Sequence, residues 1–540
     1  MDIKMIKTTA LYPEYLSAEK AERAFKLAAD GGIDAVRFGE FAWSTIMPSD
    51  GEFDWTSIDR GFALAQKYGL KIILGTPTAA PPLWLIKKHP DILPVNEDGG
   101  RGRYGGRQHR CYNSPSMRRA TEEIVTAMAE RYGSHRSLLA WQIDNEIGAE
   151  HKYCYCDACT DKFRKYLEHK YGTVESLNEK WMNAFWSQDC MSFDDIEPPR
   201  MGNLYLGVRP HPSLQYEFLR FSSDSAVEFT EHQAGIIRRF SDRPITTNQD
   251  MFVLGDNIDL ADLFKNLDVA GIDVYSGKSY EMGFYFDFLY SVKHRPFWLL
   301  EFAAQSDKLA EAMCEAEEKG CGAFGTFPFY PAPAGQEQER MGLTDIFMEP
   351  GRNYRIFRDW HPKAAGQDDV KRIAVYYDFN SSWAVNTENN SAWIDAGERL
   401  IKRCAYPDYV INTVYKSVYN RGYRADIRTR PEGFDINMPL ILPWQIIYDA
   451  ELERVLLNHI ASGGTVIATN NLFLKDEYNA YMTKAPDFYE KVFGRSVYVD
   501  DIANDEITEV SYGQGKFSLL SSGAGIDIWD KAIGILQKKV

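Results

Sequence analysis

Basic residues are in the minority in this 540-residue chain, with 61 Lys and Arg against 77 Asp and Glu and a net charge of −16. A phosphate backbone is held by a basic face, so this balance argues against nucleic acid as the partner and fits a neutral ligand. Long apolar runs are also missing. No stretch of about 18 or more apolar residues occurs, which excludes a helical membrane span. The opening residues Met1-Asp2-Ile3-Lys4-Met5-Ile6-Lys7 hold no apolar stretch of signal-peptide length, and a cytoplasmic location is the expectation. Cysteine is scarce at eight residues, three of which fall within 154–159. That crowding speaks for metal rather than a disulfide framework. Short-period repeats and low-complexity segments are absent.

Apolar residues make up 44% of the chain, enough for a large core in two to four domains. Aromatic residues reach 14%, and although rings stack on sugar faces, core packing accounts for most of them. Strand-like stretches alternate with helical ones up to about residue 330. The strands are expected near 6–12, over 34–40 and 71–77, up to Glu146, over 244–248 and 269–275, up to Glu301, and near 322–327. Ser17 is placed as N-cap of the first helix. Near-continuous apolar strands separated by helices predict a parallel (β/α)8 TIM barrel over 1–365. The pattern resets after Trp360-His361-Pro362. A second, smaller open α/β domain of flavodoxin-like type is expected over 371–540.

The polar residues Arg37, Glu40, Asn145, Glu146, Asn248, Tyr275 and Glu301 gather at the carboxyl ends of the predicted strands, the active-site face of such a barrel. The apolar run Leu138-Leu139-Ala140-Trp141 leads into Asp144-Asn145-Glu146, and Phe297-Trp298-Leu299-Leu300 delivers Glu301. Two carboxylates on one rim are what glycoside hydrolysis requires, one to protonate the leaving oxygen and one to attack the sugar. Glu146 is assigned as acid/base and Glu301 as nucleophile. Asn145 is placed to bind a neighbouring sugar hydroxyl, the 2-OH of the reacting ring. The bland alternative is a pair of salt-bridged rim glutamates. Two of them together, one preceded by Asn, favour catalysis. Long connections over about 78–115 and 147–243 would wall the pocket.

The segment Cys154-Tyr155-Cys156-Asp157-Ala158-Cys159 offers three thiolates for a structural zinc that wants four. Cys111 is the best candidate for the fourth, with His109 and His151 as alternatives. Such a closed site would staple two wall loops and leave no open position for catalysis. Arg107 is a candidate for binding sugar hydroxyls, against the reading of an ordinary surface arginine. Trp181, with Phe185 and Trp186, is a candidate stacking wall, against helix core packing at four-residue spacing.

Several stretches resemble glycoside hydrolase family 42, a β-galactosidase family of (β/α)8 barrels. They are Val36-Arg37-Phe38-Gly39-Glu40-Phe41-Ala42-Trp43-Ser44, Leu74-Gly75-Thr76-Pro77-Thr78-Ala79-Ala80-Pro81-Pro82, Asp144-Asn145-Glu146, Cys154-Tyr155-Cys156, Phe185-Trp186-Ser187-Gln188 and Thr246-Thr247-Asn248. The resemblance implies a retaining, exo-acting β-galactosidase acting on a glycoside or oligosaccharide. Glu146 would be proton donor and Glu301 nucleophile, with Arg107 and Asn145 as substrate contacts. It implies structural Zn2+ at Cys111, Cys154, Cys156 and Cys159, and a homotrimer built through the α/β domain.

The chain departs from the family pattern in two places. A tryptophan usual eight residues after the nucleophile is Leu309 here. In the loop after strand eight, Glu337 matches a sugar-holding glutamate, while the companion histidine position holds Arg340. Hydroxyl contacts select among sugars. The alternative is therefore the same machinery acting on another β-linked residue (fucosyl or glucosyl) or an α-L-arabinopyranosyl residue. A sugar-binding or assembly protein without turnover is a further reading. A metal-dependent hydrolase is weaker still, because no His-x-His follows strand one.

Overall fold

A computed structural model describes residues 5–200, 210–251, 258–331, 342–361, 371–388, 405–432, 434–498 and 506–537. The contacts divide the chain into two units. One comprises Met1–Cys159, Asp224–Val253 and Leu260–Gly366, and the other Thr160–Ser223, Leu254–Asp259 and Gln367–Val540.

In the first unit, β1 (Ile6–Ala10), β2 (Ala35–Phe38), β3 (Lys71–Gly75), β4 (Leu138–Gln142), β5 (Ile245–Thr246), β6 (Gln249–Asp250), β7 (Gly271–Asp273), β8 (Phe297–Glu301) and β9 (Cys321–Thr326) pair in parallel. The strand order is β5-β4-β3-β2-β1-β9-β8-β7-β6. Both ends of that order lie in the single run 245–250, so the sheet closes on itself as a TIM barrel. The fifth barrel strand is one run broken at Thr247-Asn248, where the chain leaves the ladder and Asn248 turns to the site. Helices intervene between strands, beginning with Ala18–Asp30, whose N-terminus is capped by the Ser17 hydroxyl accepting from Lys20 N–H. Ile73, Ala140, Trp298, Leu300 and Ala323 form a buried cluster contributed by β3, β4, β8 and β9.

Glycine makes one close approach that matters for the site. A Cβ on Gly75 would stand 2.7 Å from the Cβ of Glu40, and Gly39 at φ +102° turns the chain there. Any side chain at 75 would push Glu40 off the rim.

The second unit holds β10 (Arg372–Tyr376), β11 (Arg424–Arg428), β12 (Leu440–Leu442), β13 (Thr465–Thr469), β14 (Ile507–Tyr512) and β15 (Gly515–Leu520) in the order β11-β10-β12-β13-β15-β14. The five parallel strands follow the flavodoxin-like order, and β14 is an antiparallel edge strand. Its core includes Leu440, Leu442, Leu456, Val466, Phe488 and Phe517.

Candidate active site

Beyond β4 the chain stays hydrogen-bonded to the fifth strand run, through Ile143 N–H to Thr246 O (2.7 Å) and Glu146 N–H to Asn248 O (3.0 Å). Between these bonds the backbone is strained, with φ of 57° at Asp144 and 43° at Glu146. Left-handed conformations cost non-glycine residues of order 1–3 kcal/mol each and persist only where neighbours over-determine them. Here they do. The buried Asp144 carboxylate accepts from Arg110 Nη2 (2.5 Å) and Nε (3.2 Å), Thr78 Oγ1 (2.6 Å) and Asn145 N–H (2.7 Å). Gln108 Nε2 donates to the carbonyls of Asn145 (3.0 Å) and Glu146 (2.7 Å). The turn that presents Glu146 is thus clamped by the loop after β3.

Glu146 is 6% exposed. Its Oε2 accepts from Arg107 Nη2 at 2.9 Å and Asn145 Nδ2 at 3.2 Å. Burial first, and the negative charge of Glu301 second, raise its pKa to about 8 against the pull of Arg107. Arg107 also donates to Glu150 at 2.5 Å and lies over the Phe41 ring.

Glu301 closes β8. Arg37 Nη2 donates to its Oε1 and the Tyr275 hydroxyl to its Oε2. Arg37 is buried, and it donates on to Gln142 Oε1 at 3.1 Å and pairs with Glu40 Oε1 at 3.4 Å. Burial alone would lower the Arg37 pKa, but Glu301 and Glu40 outweigh it and hold the guanidinium charged. Glu40 also accepts from the Tyr12 hydroxyl at 2.8 Å. The Tyr275 hydroxyl is held well above the ordinary phenol range by burial and by Glu301, so it remains a donor.

Carboxylate oxygens of Glu146, Glu301 and Asp273 all lie within 4.8 Å of one another. Retaining glycosidases hold their two carboxyl groups about 5–5.5 Å apart and inverting ones about 6.5–9.5 Å. The arrangement matches the first class. One carboxyl is kept protonated and the other is bound by a guanidinium and a phenol, which is the division of roles a double displacement requires.

The structure brings Arg107, Asn145, Glu146, Tyr275 and Glu301 together. Trp181 is found in the second unit, buried, with its indole N–H donating to Tyr171 Oη at 2.8 Å and its ring stacked on His211. Phe185 and Trp186 are exposed there and stacked on each other. Leu309 is fully buried at the start of helix Leu309–Glu318. Glu337 and Arg340 lie outside the described residues. Sequence reasoning gave no role to Asp273. Its spacing of two from Tyr275 puts both on one face of an extended chain, a signal that was there to read.

Cys111, Cys154, Cys156 and Cys159 also meet, with one sulfur of each within 4.8 Å of the others. The Cys111 sulfur is 3.4 Å from that of Cys159 and 3.6 Å from that of Cys156, too long for disulfides. Thiolates about 2.3 Å from a tetrahedral zinc stand roughly 3.8 Å apart, so this donor set fits the ion. Val95 N–H and Asn113 Nδ2 donate to the sulfurs of Cys154 and Cys159, as suits thiolates. His109 bonds to Pro81 O instead. No described helix is long and apolar enough to cross a membrane.

Comparison with known proteins identifies the family. A family model described as beta-galactosidase, of glycoside hydrolase family 42, matches residues 10–327, and one described as beta-galactosidase trimerisation domain matches residues 371–527. Beta-galactosidase BgaH of Haloferax lucentense is 30% identical, over 93% of this chain and 78% of its own. Beta-galactosidase BgaA of Clostridium cellulovorans is 29% identical, over 94% and 78%. The structure of a polyextremophilic beta-galactosidase from Halorubrum lacusprofundi superposes with a TM-score of 0.85 at 26% identity, covering 99% of this chain and 89% of that one. The chain belongs to glycoside hydrolase family 42, the β-galactosidase family.

Proposed function

We propose that this chain is a retaining, exo-acting β-galactosidase that releases terminal β-D-galactosyl residues by double displacement. In the first step Glu301 Oε attacks the anomeric carbon while Glu146 gives its proton to the departing glycosidic oxygen. The C–O bond to the aglycone breaks and an ester to Glu301 forms. In the second step Glu146, now a carboxylate, takes a proton from water as the water oxygen attacks the same carbon. The ester breaks and the sugar leaves with its configuration retained. Arg37 and Tyr275 hold Glu301 in place, and Arg107 and Asn145 reach the sugar hydroxyls. The observation that carries this reading is the approach of the two carboxylates to within 4.8 Å, with Glu146 raised and Glu301 doubly bound.

A second reading keeps the mechanism and changes the sugar to another β-linked or an α-L-arabinopyranosyl residue. The burial of Leu309, where the family places a sugar-facing tryptophan, favours it. The four cysteines would bind a structural Zn2+ and tie the loops after β3 and β4 together. When bound, that ion supplies cross-linking alone, because four thiolates leave no open position. The second unit would carry assembly into a homotrimer, in keeping with the trimerisation-domain match.

Proton NMR of aryl glycoside hydrolysis tests the mechanism. The β-anomer of the free sugar is expected first, and an α-anomer appearing first would refute retention. A panel of aryl β-galactosides, β-fucosides, β-glucosides and α-L-arabinopyranosides decides between the two sugar readings by kcat/KM.

A further inference from the structure

Asp273 ends β7, is fully buried, and has no step in the mechanism above. Its Oδ2 accepts from Asn248 Nδ2 at 2.6 Å, and its Oδ1 has no hydrogen-bond partner among the described residues. The same Asn248 Nδ2 donates to Asn145 Oδ1 at 2.9 Å. Asn145 Nδ2 in turn donates to Glu146 Oε2 at 3.2 Å. The four side chains form a relay that runs from Asp273 at the barrel wall to the acid.

A primary amide has a donor end and an acceptor end of nearly the same size. Which end of Asn145 faces the site must therefore be set by its neighbours. Glu146 Oε2, which also accepts from Arg107, favours the N–H2 end from one side. Asn248 alone does not set it, being a second amide, and its own Oδ1 has no partner among the described residues. Asp273 sets Asn248, and through it the far side of Asn145. Burial, then Glu301 and Glu146, push its carboxyl well up. With Asn248 Nδ2 donating to Oδ2, the unpartnered Oδ1 is the oxygen left to carry a proton, and Oδ2 stays an acceptor.

We propose that Asp273 is a positioning residue that, through Asn248, fixes the Asn145 amide with its N–H2 end toward Glu146 and the substrate. The proposal rests on reading Asn145 as the donor to the sugar 2-hydroxyl. With Asp273 removed, Asn248 and Asn145 can turn over together, and the 2-hydroxyl then meets an oxygen.

The test compares kcat/KM for nitrophenyl β-D-galactoside with that for its 2-deoxy analogue. Changes in this ratio between variants cancel the intrinsic reactivities of the two substrates. Asp273→Ala is expected to cut the ratio about tenfold or more, the worth of one hydrogen bond to the sugar. Asp273→Asn, which can still face Asn248 with a carbonyl oxygen, is expected to recover most of it. The double variant Asn145→Ala/Asp273→Ala should fall no further than Asn145→Ala alone. The proposal is overturned if Asp273→Ala slows both substrates equally or leaves the ratio unchanged, or if Asp273→Asn is no better than Asp273→Ala. An unchanged ratio in Asn145→Ala overturns the underlying reading of Asn145 instead. Should Asp273→Ala fail to fold by near-ultraviolet circular dichroism, Asn248→Leu breaks the same relay in its middle and must show the same loss; a full ratio there also overturns the proposal.

Discussion

The two sheets of this chain each place buried carboxylate where parallel strands end, a single Asp378 in one and a crowded group in the other, and the two sites are built on opposite principles. At the end of β10, Asp378 is satisfied on both oxygens. Oδ1 accepts from Asn380 N–H at 3.0 Å, and Oδ2 from Ser381 N–H at 3.0 Å, Ser381 Oγ at 2.6 Å and Gln445 Nε2 at 2.8 Å. At the barrel rim, Glu146, Glu301 and Asp273 crowd within 4.8 Å, and Asp273 Oδ1 and Glu40 Oε2 are buried without partners among the described residues. A satisfied network rigidifies a fold, whereas a crowded, under-satisfied one stores free energy that only a ligand or a reaction releases. The flavodoxin-like sheet meets its buried Asp378 with its own backbone and side chains. The barrel has left its rim to a substrate.

The contrast is broken most directly at Glu301. If the barrel cluster is chemical, Glu301→Ala should lower kcat/KM by about 10⁴-fold or more, because the covalent route is removed. Arg37→Met should cost less, on the order of 10²-fold, by releasing Glu301 from its guanidinium. Steady-state kinetics on an aryl galactoside measures both. A Glu301→Ala variant with near-native turnover would assign the nucleophile elsewhere.

The cysteine cluster, read as the proposed zinc site, would be a third kind of burial, one satisfied by an ion. Cys156→Ser, or exhaustive chelation, should lower stability by several kcal/mol, as loss of a structural zinc does. Thermal unfolding with and without added Zn2+ reads this. Protein that remains folded without the ion should keep most of its kcat. Arg110 next to Cys111 clamps Asp144, so any loss of kcat should come with loosening of that turn. Abolished turnover in protein of unchanged Tm would make the ion catalytic instead.

How legible these clusters were in the sequence follows from range. The barrel, its eight strand runs and the two rim glutamates proposed for catalysis lie in local signals, because an apolar run ending in Asn-Glu or Glu announces itself within six residues. Cys154, Cys156 and Cys159 announce themselves by spacing, whereas Cys111 was the best of three candidates for the fourth position. What could not be read is what neighbouring strands do to one another. Asp273 lies two residues inside its predicted strand end. It gains meaning only when parallel pairing sets Gln249 beside Ile272 and brings Asn248 to its carboxylate. The clamp on Asp144 likewise joins Thr78, Arg110 and Asp144 across two loops. Trp181 shows the converse. Its spacing with Phe185 left a stacking wall and helix core packing both open, and the burial of its ring follows from Tyr171 before it and His211 thirty residues on.

The smallest effect sharpens the comparison most, because the two clusters should respond with opposite signs. Glu146 has a folded-state pKa of about 8 against an ordinary 4.5. A carboxyl raised on folding gives up no stability below its unfolded pKa, and stability falls as pH rises from there through the folded pKa. Glu146→Gln removes that loss, since the amide is neutral at every pH and its oxygen can still accept from Arg107 and Asn145. The variant should therefore match wild type near pH 4, exceed it by a few kcal/mol near pH 8, and be nearly inactive. Wild-type kcat/KM should fall as pH rises through about 8, where the acid loses its proton. Asp378→Asn keeps one oxygen for the Ser381 and Gln445 donors but must set its N–H2 group against Asn380 N–H, and should cost about 1–3 kcal/mol near neutral pH, with kcat per folded molecule unchanged. Tm measured from pH 4 to 9 for both variants decides the matter. If Glu146→Gln is no more stable than wild type near pH 8, the crowding at the barrel rim costs the fold nothing, and the distinction between the two clusters fails.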